Sequence, residues 1–181
     1  MTMGSHHSAV MVSDTYLTPP EIIAACGPFD LDPCAAPEPR PWPTAARHIV
    51  LPVDGLAADW GDAFVWLNPP YSREARAWLM KLSQHPGGGI ALVFARTETE
   101  WFVDSVWHAE RATAILFLHG RITFRDRNGD PVKVFDKKSG QWRVANSGAP
   151  SVLVAYGNVA AARLLASGLP GSFLHLGRSA A

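Results

Sequence analysis

Five strand-length runs, most of them continuously apolar, recur along the chain: FDLD (29–32), FVWL (64–67), GIALVF (89–94), TAILFL (113–118) and SVLVAY (151–156). A strand with one wet face alternates apolar and polar residues. Continuous runs instead predict strands buried on both faces. Helical patterns fill the gaps. Pro19-Pro20-Glu21 opens a predicted helix over Ile22-Ile23-Ala24-Ala25 that Gly27 can end. Ser72 can cap a second, with Ala75, Trp78, Leu79 and Leu82 on one face. Thr97 and Glu100 are spaced as a capping box ahead of Trp101, Phe102, Val106 and Trp107. Strands alternating with helices predict an α/β fold with the sheet covered on both sides. Such sheets bind ligands beyond the carboxyl ends of their strands.

At 181 residues the chain fits one domain with one sizeable core. Hydrophobic residues make up 48% and charged residues 18%, which fits an ordinary soluble globular protein. No run approaches the ~20 apolar residues that cross a bilayer. The N-terminus carries no secretory signal, and its GSHHS stretch plays no part in the fold argument. Cys26 and Cys34 have no CxxC spacing, so reduced thiols in the cytoplasm and no metal site are expected. The net charge is zero, but it is unevenly spread. Residues 1–62 hold eight acidic and two basic side chains, whereas residues 119–143 hold seven basic and three acidic ones. That polarity predicts an anionic partner at one end of the molecule. Asn128-Gly129 between alternating runs is a hairpin signal within the basic stretch.

Three of the runs end in special residues: Asp32-Pro33-Cys34-Ala35, Asn68-Pro69-Pro70-Tyr71 and Ala95-Arg96-Thr97. The second suits one particular chemistry. The lone pair of a nucleobase exocyclic amine is delocalised into the ring, so the amine is a poor nucleophile. Two acceptors holding its two hydrogens localise that lone pair. Asn68 has an amide oxygen, the Pro69 carbonyl is a second acceptor, and Pro70 stiffens the peptide between them. Neither proline has an N–H to compete. Tyr71 presents a flat face to a planar base. Such a corner works by orientation and transition-state stabilisation rather than by a strong base.

NPPY after a buried strand resembles the catalytic signature of amino-group methyltransferases that use S-adenosylmethionine. The order of the whole chain resembles the phage-type DNA N-6-adenine methyltransferase family (Dam-like), found in phages and prophages. The matching pieces are Asp14-Thr15-Tyr16-Leu17-Thr18-Pro19 and Phe29-Asp30-Leu31-Asp32-Pro33-Cys34-Ala35-Ala36-Pro37. They continue with Asp54-Gly55-Leu56 and Asp59-Trp60, Val65 to Tyr71, Ala95-Arg96-Thr97 with Thr99 and Trp101-Phe102, and Gly120-Arg121 with Phe124. The likeness spans residues 14–157. NPPY by itself is shared by enzymes that modify DNA, RNA or protein glutamine; the ordered set is much more specific.

The resemblance implies a Rossmann-like S-adenosylmethionine-dependent methyltransferase sheet with a basic hairpin insertion before the last strand. It implies a single domain over 14–178, a DNA-contacting insertion at 119–149 and a flexible tail at 1–13. The activity implied is methylation of the exocyclic amine of adenine in double-stranded DNA, with the base flipped into the NPPY pocket. Alternatives are another amine (cytosine, RNA or protein glutamine) and a non-catalytic DNA-binding relative. Asn68, Pro69, Pro70 and Tyr71 would be catalytic. Thr18, Pro19, Asp32, Pro33, Cys34, Ala35 and Asp54 would hold the cofactor. The Thr18 hydroxyl and helix amides would face its carboxylate, and Asp32 its α-ammonium. Pro33-Cys34-Ala35 stands where many such enzymes have a glycine-rich loop. Asp59 is the alternative to Asp54, and the capping box explains Thr97 without function. Arg96, Arg121, Lys133, Lys137 and Lys138 would meet DNA.

Overall fold

A computed structural model of the chain describes residues 16–70 and 74–177. The expected tail at 1–13 and the Tyr71 and Ser72 positions lie outside the described residues. The elements, in chain order, are α1 (Pro20–Cys26), β1 (Leu31–Asp32), β2 (Arg47–His48), β3 (Val65–Leu67), α2 (Ala75–Gln84), β4 (Gly89–Phe94), α3 (Glu100–Phe102), β5 (Ala112–Leu118), β6 (Lys133–Asp136), β7 (Gln141–Val144), β8 (Ser151–Tyr156), α4 (Asn158–Ala166) and β9 (Gly171–His175). A π-helical turn, Val103–Trp107, follows α3 directly.

Seven strands form one sheet in the order β2-β1-β3-β4-β8-β5-β9. β2, β1, β3 and β4 are parallel neighbours, with Leu31 beside Val65 and Val65 beside Gly89. β8 runs antiparallel between β4 and β5, and β9 runs antiparallel along β5. The result is a mixed α/β sheet whose parallel half carries the special strand ends.

The continuous apolar runs are explained by two cores, one on each face. Successive side chains of a strand point to opposite faces. In β4, Ile90 and Leu92 pack with Ile22, Cys26 and Leu164, from α1 and α4. Ala91 and Val93 pack with Leu79, Leu82 and Phe102, from α2 and α3. β8 divides the same way, Leu153 and Ala155 to one core and Val152, Val154 and Tyr156 to the other. Burying Leu-sized side chains on both faces contributes about 1.5–3 kcal/mol each.

Helix α1 runs as expected, with Gly27 as its C-cap. α2 buries Ala75, Trp78, Leu79 and Leu82, the face its spacing predicted. The expected capping box at Thr97 is not made. α3 starts at Glu100 with Thr99 at the N-cap and no side-chain cap bond. A turn intervenes: the Thr99 amide and hydroxyl both donate to the Arg96 carbonyl, at 3.0 and 2.7 Å. Glu100 faces Arg76 at 3.3 Å instead of reaching back.

Residues 133–144 form a separate two-stranded hairpin, β6–β7, registered from Lys133–Val144 to Asp136–Gln141. Its connection is residues 137–140, not Asn128-Gly129. The Asn128-Gly129 turn exists one step earlier, closed by Asp126 between the bridged Arg125 and Pro131. No helix among the described residues is long and apolar enough to cross a membrane.

Candidate active site

β1 and β3 are adjacent and parallel, so their carboxyl ends emerge side by side. Asp32-Pro33-Cys34 leaves one, and Asn68-Pro69-Pro70 leaves the other. The Cys34 thiol donates to the Asn68 carbonyl at 3.3 Å and ties the two ends together. Between them lies a cavity of about 410 Å³. Asp32, Cys34, Asn68, Pro69 and Pro70 line it, with Trp66 from the strand below and Tyr16, Leu17 and Thr18 from the segment before α1.

The Asn68 amide has a defined orientation. Its Nδ2 donates to Thr18 Oγ1 at 3.2 Å, and its buried Oδ1 has no hydrogen-bond partner among the described residues. A buried acceptor left unpaired costs about 1–3 kcal/mol, so such atoms are uncommon and call for a reason. Thr18 is itself held firmly. It is 2% exposed, its carbonyl accepts Trp42 Nε1 at 3.1 Å, and the preceding Leu17 exchanges two backbone bonds with Arg125, at 2.8 and 2.9 Å.

Asp32 is 4% exposed. Its Oδ1 accepts the Cys34 amide at 3.1 Å and its Oδ2 accepts Thr44 Oγ1 at 2.5 Å. Burial pushes its carboxyl up to about 6, against the pull of Thr44, the Cys34 amide and the Arg40 charge. Burial first, and the neighbouring Asp32 second, push the Cys34 thiol well above the usual thiol range. Cys34 is therefore a neutral hydrogen-bond donor at neutral pH, not a nucleophile.

The other expected site residues are placed as follows. Pro19 is the N-cap residue of α1 and is buried beside Thr18. The α1 amino end is poor in donors: Pro19 and Pro20 have no N–H, and the Ile22 amide already serves the Pro19 carbonyl at 3.1 Å. Pro33 is buried, with its carbonyl pressed against Gly55. The Ala35 amide donates to the Ile49 carbonyl at 3.1 Å. Pro19, Pro33 and Ala35 flank the cavity in sequence without lining it. Asp54 does not line it either. It is exposed, its Oδ1 accepts the Leu56 amide at 2.8 Å, and with Asp59 it supplies negative charge near Lys81, whose ammonium binds the Leu56 carbonyl at 2.7 Å.

Arg96 is exposed after β4 and is not among the lining residues, so two of the three special strand ends, not three, meet at the cavity. Arg121 is exposed and reaches the Ser147 carbonyl at 3.3 Å. Lys133 stands on β6, and Lys137 and Lys138 on its turn, all exposed. Beside Lys133, one face of the hairpin carries the Phe135–Trp142 ring pair, 5.5 Å apart, and Val144.

The sequence reading missed Arg40, Trp42 and Thr44, which all line the cavity. The stretch is Pro37-Glu38-Pro39-Arg40-Pro41-Trp42-Pro43-Thr44, with proline at every second position. The stretch is not extended: the chain bends at Glu38, Pro41, Trp42 and Thr44, and the Glu38-Pro39 peptide is cis. No local periodicity marks these three residues; the long-range fold makes them cavity lining.

Fold and site together define an α/β protein with its ligand crevice at the carboxyl edge of parallel strands. Residues 5–166 match the DNA N-6-adenine-methyltransferase (Dam) family, and the chain belongs to that family. The DNA N-6-adenine-methyltransferase of Haemophilus phage HP1 (strain HP1c1) is 32% identical over 100 residues. That stretch covers 53% of this chain and 54% of the phage protein, so the match spans about half the length of this curated relative. No solved structure matches the chain.

Proposed function

We propose that the protein transfers a methyl group from S-adenosylmethionine to the exocyclic amine of adenine in double-stranded DNA. The observation that carries this reading is the Asn68 amide: Nδ2 fixed by Thr18, Oδ1 buried and unpaired at the cavity. Family membership supports it. So does the topology. The chain passes from β1 to β2 on one side and then returns to β3 on the other, and the cavity lies at that switch point. On this reading the sheet is Rossmann-like and residues 119–149 are a DNA-contacting insertion.

The residues present fit the cofactor. The buried acid Asp32 would hold the cationic amino group, and Trp66 and the prolines would give apolar walls. Bound there, S-adenosylmethionine supplies an electrophilic methyl group on a sulfonium. The protein does the rest. Asn68 Oδ1 and the Pro69 carbonyl each accept one hydrogen of the adenine amine, which localises its lone pair toward the methyl carbon. Transfer of that methyl would leave the adenine amine cationic, and Asn68 Oδ1 and the Pro69 carbonyl would stabilise that charge. The surplus proton then leaves to water. Tyr71 stacks on the flipped base, and the basic hairpin with Arg96 and Arg121 holds phosphates. The setting is the cytoplasm of a bacterial or phage-infected cell.

Expression in a host lacking adenine methylation tests this reading. Its DNA should acquire N6-methyladenine with the wild-type gene and far less with Asn68→Ala. Unmodified adenine in the presence of folded wild-type protein would overturn the reading.

A further inference from the structure

Arg40 is an unusual arginine. Its side chain is only 11% exposed, yet it lines the cavity. Two of its N–H groups tie down its own loop: Nη1 donates to the Ala36 carbonyl at 2.6 Å and Nη2 pairs with Glu38 at 2.6 Å. Glu38 is 68% exposed, so the counter-charge stands mostly in water. A guanidinium has five N–H donors. Its Nε is buried and has no partner among the described residues. Burying a cation with donors unspent is costly unless something completes the set.

Asp32 lines the same cavity. Among the described residues no ion pair joins it to Arg40, although the guanidinium still acts on the carboxyl through space. One cavity thus holds a buried cation and a buried anion that do not neutralise each other by contact. The ligand complementary to that arrangement is a zwitterion, with its anionic end at Arg40 and its cationic end at Asp32. An α-amino acid group has this form, and planar carboxylates match the guanidinium fork.

We propose that Arg40 binds the α-carboxylate of the methyl donor while Asp32 takes its α-ammonium. The assignment rests on the methyltransferase reading above and moves the carboxylate away from Thr18, whose hydroxyl oxygen accepts from Asn68. The Pro37–Thr44 stretch becomes the wall that reads the amino-acid end of the cofactor.

Calorimetry with two ligands tests it: S-adenosylmethionine and its decarboxylated form, which keeps the ammonium and lacks the carboxylate. Wild-type protein should prefer the intact cofactor by on the order of tenfold to a hundredfold, the range of a charged hydrogen-bonded contact. Arg40→Met should lose that preference while holding the decarboxylated form as wild type does. Asp32→Asn should weaken both ligands. An unchanged preference in Arg40→Met, or an equal loss for both ligands, overturns the assignment alone. Wild-type protein that binds neither ligand overturns the methyltransferase reading, and this assignment with it. If Arg40→Met does not fold, wild-type protein still decides. The Arg40 Nε–H resonance should shift with the intact cofactor and not with the decarboxylated one, and equal shifts contradict the proposal.

Discussion

Asn68 and Thr18, 50 residues apart, are joined across the cavity lining by a hydrogen bond of 3.2 Å from Asn68 Nδ2 to Thr18 Oγ1. With Nδ2 spent on the threonine, Oδ1 remains for a ligand. Asn68→Ala should leave folding and cofactor affinity close to wild type and lower turnover by roughly 10²–10³, the range for loss of one preorganised group. Steady-state kinetics with circular dichroism as a folding control check this.

Thr18→Val keeps the shape of the side chain and removes the acceptor. The Asn68 amide is then free to turn. Turnover should fall about tenfold or more, with little change in cofactor Kd, and Thr18→Ser should restore it. A Kd that worsens in step with turnover would make Thr18 a cofactor contact instead.

The buried Asp32 gives two opposite pH effects. Its carboxyl titrates at about 6 in the folded protein, against 3.8 ordinarily. A raised folded pKa favours the protonated form, so this contribution to stability is full below about pH 4 and is lost as pH rises through 6. Cofactor binding runs the other way, because the ammonium needs the ionised carboxylate. Affinity should rise with pH up to about 6 and level off above it. Asp32→Asn should stabilise the ligand-free protein at pH 7, by at most about 3 kcal/mol, while weakening cofactor binding and flattening its pH dependence. Thermal melts and calorimetry from pH 5 to 8 separate the two.

Gly55 is the support behind the β1 loop. A Cβ at this position would lie 1.9 Å from the Pro33 carbonyl oxygen and 2.8 Å from Trp78. Gly55→Ala should therefore cost about 1–3 kcal/mol or more in stability. It should also weaken cofactor binding, because the strain falls on the loop that carries Asp32 and Cys34. Chemical denaturation measures the first effect and calorimetry the second.

Lys133, Lys137 and Lys138 are exposed, so reversing them to Glu should leave the fold intact. If they neutralise DNA phosphates, binding weakens, and each phosphate left unneutralised flattens the slope of log K against log salt by about 0.9. An unchanged slope places the DNA face elsewhere on the molecule.

What the sequence revealed follows from how each element is stabilised. β3, β4, β5 and β8 are central and largely buried, so they wrote continuous apolar runs. β2 is two residues, Arg47 and His48, and β9 is an edge strand with exposed alternate positions, so neither left such a trace. Asp32, Cys34 and the Asn68-Pro69-Pro70 corner were legible as cavity lining because they stand at strand ends of an α/β sheet, and Thr18 because it stands just before α1. Arg40, Trp42 and Thr44 were not, because only a long-range fold-back brings the proline-rich stretch over the cavity. Asp54 was a plausible acid by local sequence alone; its own turn and a nearby lysine account for it.

The most direct measurement is transfer of labelled methyl from S-adenosylmethionine to duplex DNA, followed by nucleoside analysis, with RNA and protein as parallel acceptors. Label should appear in N6-methyladenine from DNA and fall roughly 10²–10³-fold with Asn68→Ala. Label in cytosine, RNA or protein instead, or none from folded protein with cofactor bound, would contradict adenine methylation at the Asn68 corner.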